Sequence, residues 1–238
     1  MSEAQRLETL SGAYDPANDF DKWMLRSFTA AISPLVAGRL VLELGCATGY
    51  TASLLLDAVG AIDLVDGSQH YIDIAKSRIH DSRVRFFVSL FENFEPDRRY
   101  DVIIFSHVLE HVEEPVPILQ RAKNWLSDDG VIVACVPNAF SIHRRLGVQM
   151  GLARTVYDLS ERDHMGGHRR VYDPQSLARD VEAAGLSHAE LRGVFLKPLS
   201  SAQMESLDEK VLQGFMDLGA TLPELAAEIY YVCKPVRR

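Results

Sequence analysis

The chain has 238 residues, 47% hydrophobic and 24% charged, with a formal net charge of −8 from 25 basic and 33 acidic residues. That length suits one domain with a full core; the acidic balance argues against general nucleic-acid binding, and no apolar run approaches the length of a membrane span. The N-terminal MSEAQRLETL has acids and no apolar stretch, so it is not read as a signal peptide, and the 3 cysteines, Cys46, Cys135 and Cys233, are far apart and read as buried thiols in a reducing, cytoplasmic compartment.

Residues 3–11 read as a polar helix and 14–20, with Pro16 and several acids, as a loop. Apolar positions at Trp23, Met24, Phe28 and Ile32 predict a helix over 22–32, closed by Pro34 and Gly38. A buried strand at 40–44 (LVLEL) runs into the turn GCATG, and 50–58 reads as a helix whose free N–H groups point back at that turn. A second strand, AIDLVD at 61–66, ends in Asp66. A helix over 69–78, a strand at 84–88, a fourth strand at 100–105, a helix over 117–126 and a fifth strand at 130–136 continue the alternation. Pro137 ends the fifth strand; a helical stretch at 140–150 and a loop to Tyr172 follow. Asp173-Pro174 opens a helix that Gly185 stops. A sixth strand is predicted at 189–195, a helical insertion at 197–222 and a last strand at 226–233. Strands separated by helices predict an α/β fold with a doubly wound, seven-stranded, mostly parallel sheet. One domain over 1–238 is expected, with a helical cap at 1–37 and lid insertions at 138–172 and 197–224.

The unit at 40–58 is a strand, a tight turn and a helix N-terminus, which makes a nucleotide-type cofactor site. Asp66, closing the second strand, can accept from both ribose hydroxyls. The turn is not the GxGxxG of dinucleotide sites, because Ala47 stands at the middle glycine. On Glu43, Gly45, Ala47, Gly49 and Asp66 the chain resembles the class I S-adenosylmethionine-dependent methyltransferases, whose first motif is close to E/D-x-G-x-G-x-G. The resemblance covers residues 38–136 well and the rest weakly. It implies a Rossmann-like fold, S-adenosylmethionine as donor and S-adenosylhomocysteine as product. It also implies Glu43 at the methionine amino end, Gly45, Cys46, Ala47 and Gly49 as the cofactor turn, Asp66 on the ribose and Gly67 beside the adenine. Many relatives carry an Asp after the third strand for the adenine amino group; here Leu90 stands there, and Leu90 and Phe91 either serve through backbone and apolar contact or are plain core.

The segment SHVLEH at 106–111 also fits the HxxEH zinc-protease pattern, with Glu110 as base. The adjoining buried strand, and Pro115 and Pro117, argue against a long helix through it. Under the resemblance, Ser106 and His107 face the transferred methyl, and Glu110 and His111 fix the start of the next helix. His107 is a candidate general base, since an ordinary imidazole titrates near about 6.5; packing around the cofactor is the plainer alternative. His164 and His168, in the flexible DHMGGHRRVYD, are rival bases, and with Asp163 a minor option for a divalent metal, although no metal is expected. Arg144, Arg145, Arg154, Arg162, Arg169 and Arg170 make 139–172 basic, either to balance surface charge or to face an anionic substrate group. Tyr14, Arg169, Tyr172 and Lys197 are the candidate acceptor contacts. The expected function is methyl transfer to nitrogen or oxygen of a small polar, anionic metabolite, with no nucleic-acid or membrane partner and room for a homodimer. A non-catalytic S-adenosylmethionine sensor and a zinc hydrolase are the competing readings.

Overall fold

In a computed structural model, residues 3–11 and 15–236 are described. In chain order the elements are α1 (Glu3–Leu10), α2 (Asp21–Val36), β1 (Leu40–Leu44), α3 (Tyr50–Leu55), β2 (Ala61–Asp66), α4 (Gln69–Arg78), β3 (Val84–Val88), β4 (Tyr100–Ser106), α5 (Pro115–Lys123) and β5 (Leu126–Pro137). There follow α6 (Ile142–Gln149), α7 (Glu161–Met165), α8 (Pro174–Ala183), β6 (Leu186–His188), β7 (Arg192–Val194), α9 (Ser201–Met204), α10 (Glu209–Thr221) and β8 (Glu228–Pro235). The strands form one sheet in the order β3-β2-β1-β4-β5-β8-β6, with β7 also on β8. Neighbours from β3 to β5 are parallel, and β8 runs antiparallel to β5, β6 and β7.

Strand alternation sends successive side chains to opposite faces. Val41, Leu64, Ile104 and Val133 join one core with α2, α3 and Leu212 of α10, whereas Leu42, Val65, Phe105 and Ala134 join another with α5 and α8. Helices on both faces explain why the central strands read as continuous apolar runs. Ligands in such sheets bind beyond the carboxyl ends of the strands, where the order reverses; β1, β2 and β4 all point their carboxyl ends to one edge.

The predicted doubly wound sheet is therefore present, with several boundaries corrected. The sixth strand is two pieces, β6 and β7, both on β8, and it begins at Leu186 rather than Ala189. Between the pairs His188↔Cys233 and Arg192↔Tyr230 the first strand advances four residues and β8 three, so one extra residue bulges out. Helix α2 runs through Pro34 to Val36. Pro34 is exposed, so water can serve the carbonyl its ring frees, while buried Ile32 and Val36 hold the inner face. Gly38 follows at φ +68. Helix α5 stops at Lys123 because Leu126 is taken into β5 opposite Tyr100. Helix α3 stops at Leu55, short of the expected 58. No helix among the described residues is long and apolar enough to cross a membrane.

Candidate active site

Beyond β1 the chain turns through three left-handed residues, Gly45 (φ +72), Ala47 (φ +44) and Gly49 (φ +71). Gly45 N donates to Val65 O (2.8 Å), locking the turn to β2, and a Cβ on Gly45 would lie 2.6 Å from Val108 Cγ2. Asp66 closes β2 and holds the turn from the other side: its Oδ2 accepts from Ala47 N (3.0 Å) and its Oδ1 from Ser68 N (2.9 Å). Burial raises the Asp66 pKa, against the pull of those backbone donors. Glu43 is buried, and its Oε2 has no hydrogen-bond partner among the described residues. Burial, then the charge of Asp66, pushes the Glu43 pKa up to about 8. Helix α1 lies across this edge. Glu8 accepts from Gln69 N (2.6 Å) and Ser68 Oγ (3.1 Å), and Leu7 and Leu90 close on Gly67, where a Cβ would lie 2.4 Å from Leu7 Cδ1 and 3.1 Å from Leu90 Cδ2.

At the end of β4, His107 is also left-handed (φ +55), its N–H given to Cys135 O (3.0 Å). Its Nε2 donates to Glu228 Oε1 at 2.8 Å, and Ser106 Oγ lies 3.4 Å from Nδ1. Burial opposes the charge on His107, but the charge and hydrogen bond of Glu228 override it and raise the pKa to about 10. The following turn is fastened by arginines from the loop after α7. Arg170 donates to Leu109 O, Val112 O and Glu113 O (2.8, 2.7 and 2.8 Å), and Arg169 Nε to His111 O (2.8 Å). This strap brings Glu110 and His111 against His168. Burial raises the Glu110 pKa to about 7 and lowers His111 to about 3 and His168 to about 4. His168 Nδ1 sits 3.3 Å from Asp163 Oδ1, close enough for an ion pair but not aligned for a hydrogen bond. One cavity of about 990 Å³ joins the turn after β1 to this second cluster.

A family profile described as a methyltransferase domain matches residues 20–191. The ubiquinone biosynthesis O-methyltransferase of Paraburkholderia phytofirmans is 26% identical over 181 residues, 74% of this chain and 76% of that protein. Malonyl-(acyl-carrier protein) O-methyltransferase of Bacillus anthracis is 25% identical over 134 residues, 54% of this chain and 50% of that protein. Among solved structures, N-methyltransferase NodS from Bradyrhizobium japonicum WM9, in complex with S-adenosyl-L-homocysteine, matches with a TM-score of 0.63 at 14% identity over 98% of each chain. The DhpI–SAH complex matches with a TM-score of 0.61 at 18% identity, over 99% of this chain and 94% of that one. At those identities the structural likeness is one of fold. The chain belongs to the class I S-adenosylmethionine-dependent methyltransferases.

The donor chemistry of this methyltransferase fits the residues present. A sulfonium with an ammonium tail is cationic, and the turn presents a buried carboxylate oxygen with no partner, Glu43 Oε2, next to the acid Asp66. Of the residues singled out in the sequence, Glu43, Gly45, Cys46, Ala47, Asp66, Gly67, Leu90, Phe91, Ser106, His107, His168 and Lys197 line the cavity. Gly49 does not; it backs the turn, and a Cβ there would lie 2.9 Å from Ala75 Cβ. Three other candidates are also placed elsewhere. His164 is exposed, Arg169 straps the turn, and Tyr172 is buried with its hydroxyl donating to Asp180 Oδ2 (2.7 Å). Tyr14 lies outside the described residues.

The basic segment is largely self-satisfied. Arg144 pairs with Asp163 (2.7 Å), Arg154 with Asp158 (3.4 Å), and Arg162 with Asp19 and Asp21 (2.9 Å each). Arg145 donates to Phe140 O (2.8 Å). These arginines are therefore partnered within the protein, and Arg144 and Arg162 also line the cavity. Lys197 lines the cavity from the other insertion, with Nζ donating to Ser201 Oγ (2.9 Å) and burial lowering its pKa. His107, the candidate base, is paired with Glu228, whose charge and hydrogen bond raise its pKa. Glu228 went unnoticed in the sequence. Its signal was an acid at the head of an apolar strand, EIYYVC, which pairing opposite Pro137 buries beside the site.

Proposed function

We propose that this methyltransferase acts on an ionised oxygen, a carboxylate or an acidic hydroxyl, of a small molecule. The His107–Glu228 pair carries the reading. Glu228 raises the His107 pKa and favours the imidazolium, whose second N–H, beside Ser106 Oγ, can donate to an anionic oxygen. The other imidazoles of the cavity wall, His111, His143 and His168, are held near about 3, about 3 and about 4, and are weak bases. An amine arriving protonated would find no matched base among them, whereas an ionised oxygen needs none. Two matched relatives are named O-methyltransferases, which also supports oxygen.

In this reading Asp66 holds the ribose hydroxyls and Glu43 the ammonium end. The backbone of Gly45, Cys46 and Ala47 backs the chain between them, and Gly67, Leu90 and Phe91 flank the adenine. The bound donor supplies a methyl group activated on a sulfonium. The protein then contributes alignment and a dry pocket, with His107 and Lys197 holding the acceptor's negative charge and Ser106 beside them. The insertions at 138–172 and 197–224 act as the lid, since both contribute to the cavity wall.

The two competing readings meet specific obstacles. A sensor needs no room beyond its ligand, yet the cavity extends past His107 to Lys197. The HxxEH arrangement needs both histidines on one helical face, yet residues 107–114 form turns and His107 is committed to Glu228. The test is transfer of labelled methyl from the donor to a panel of small carboxylic acids, phenols and amines. Methyl esters or ethers are expected; label on amines alone would overturn the oxygen assignment.

A further inference from the structure

Among the described residues, Glu110 is fully buried and both of its carboxylate oxygens lack a hydrogen-bond partner. An isolated carboxylate removed from water is costly unless a cation or a proton answers it. What stands next to it is a pair of imidazoles. Donor atoms of Glu110, His111 and His168 all lie within 4.8 Å of one another, and the two histidine rings meet edge-on at 4.6 Å between centroids. A divalent ion sits about 2.0–2.2 Å from imidazole nitrogen and carboxylate oxygen, so its ligands lie about 3–4 Å apart. Closing this triangle by roughly an ångström seats one.

The surroundings have the form that orients metal ligands. Ligating histidines usually give their second nitrogen to a backbone carbonyl or a carboxylate. His168 Nδ1 faces Asp163, which Arg144 and the Ser160 cap fix in place. The Arg170 strap holds the turn that carries Glu110 and His111. This is neither of the metal arrangements suggested by the sequence: His107 is diverted to Glu228, His164 is exposed, and Asp163 stands behind His168.

We propose that Glu110, His111 and His168 bind one divalent transition cation of the Zn²⁺ or Mn²⁺ class at the cavity wall. Two imidazoles and one carboxylate favour such an ion over Mg²⁺, which prefers oxygen and keeps its water. His111 and His168 line the cavity, so the remaining coordination positions face the acceptor space. An ion there would anchor an acceptor carrying neighbouring oxygen atoms.

The inference stands apart from the acceptor assignment, because uptake is measured without any acceptor. The experiment is calorimetry and elemental analysis on the full chain, tag-free and stripped with chelator, with Zn²⁺, Mn²⁺ and Mg²⁺ in turn. One Zn²⁺ or Mn²⁺ per chain is expected, with a rise in Tm, and with Mg²⁺ at least tenfold weaker. Glu110→Gln and His168→Gln should each weaken uptake about 100-fold, while His164→Gln, exposed and off the site, should leave it unchanged. If Glu110→Gln does not fold, His168→Gln decides. Failure of the stripped chain to take up stoichiometric metal would overturn the proposal. So would undiminished uptake in a folded His168→Gln variant, or Mg²⁺ binding as tightly as Mn²⁺.

Discussion

The two ends of the cavity are built differently. The end proposed for the donor is contiguous: strand β1, its turn, α3 and β2 supply Glu43, the left-handed backbone and Asp66 within residues 40–66. The other end is assembled from remote segments. His107 follows β4, its partner Glu228 opens β8, His168 sits in the loop after α7, and Lys197 follows β7. A local site carries its geometry in its own backbone, so a turn motif can announce it. A site made of distant pieces takes its charge states from tertiary neighbours, which residue type alone does not show. His107 is the instance: an ordinary histidine would titrate near neutrality, and Glu228 moves it to about 10.

If the far end depends on tertiary pairing, breaking one pair should be the most damaging change. Glu228→Ala leaves a buried imidazole beside an emptied position, and we expect a loss of about 3 kcal/mol in urea unfolding at pH 7. The sign follows from linkage. A histidine pKa raised on folding stabilises fully below about 6.5, and that contribution fades as pH rises through about 10. The gap between wild type and variant should therefore narrow at pH 10, and donor affinity should stay within a factor of about three. A gap that is flat across pH would remove the charged pair. Next in size is Asp66→Ala, which removes the acceptor for Ala47 N and Ser68 N and the proposed ribose contact. Charge-assisted bonds of this kind are worth ~1.5–3 kcal/mol, so donor Kd should rise about 10- to 100-fold by calorimetry. Donor affinity unchanged by that substitution would mean the donor end is not where the motif puts it.

The same contrast governs what could be read in the sequence. The central strands, the crossover helices and the glycine turn after β1 were legible, because apolar runs, glycines and a terminal acid are local signals. The sixth strand was misplaced because its two halves, Leu186–His188 and Arg192–Val194, are short and owe their pairing to β8. Arg169 reads as a substrate contact because it lies in the basic segment 139–172; its bond to His111 O exists only once the loop folds onto the turn after β4. Tyr172 likewise turned inward, to Asp180.

Glu43 gives a smaller effect that sharpens the donor end. Its pKa near about 8 means it is largely protonated at pH 7, since burial and Asp66 both oppose its charge. The native state then holds a proton that the unfolded chain loses near about 4.3, so stability should fall as pH rises from there to about 8. A cationic donor favours the carboxylate, so binding should release a proton below pH 8. Donor affinity should climb about tenfold from pH 6.5 to 8, and Glu43→Gln should flatten that slope. Calorimetry in buffers of different ionisation enthalpy measures the proton directly, and none released would break the assignment.

The smallest expected effect concerns Ala47, the position where the turn departs from the family's glycine. Its φ of +44 shows that the turn still demands left-handed backbone there, whatever residue supplies it. An L-residue in that region costs ~1–2 kcal/mol. Glycine avoids that cost but loses roughly 0.5–1 kcal/mol through the extra freedom of the unfolded chain. Ala47→Gly should therefore stabilise by about 0.5 kcal/mol, with donor Kd unchanged, because Ala47 N keeps its bond to Asp66. A destabilised variant would mean that the methyl group of Ala47 makes contacts worth more than the strain, and that the departure from the motif was selected for packing rather than merely tolerated.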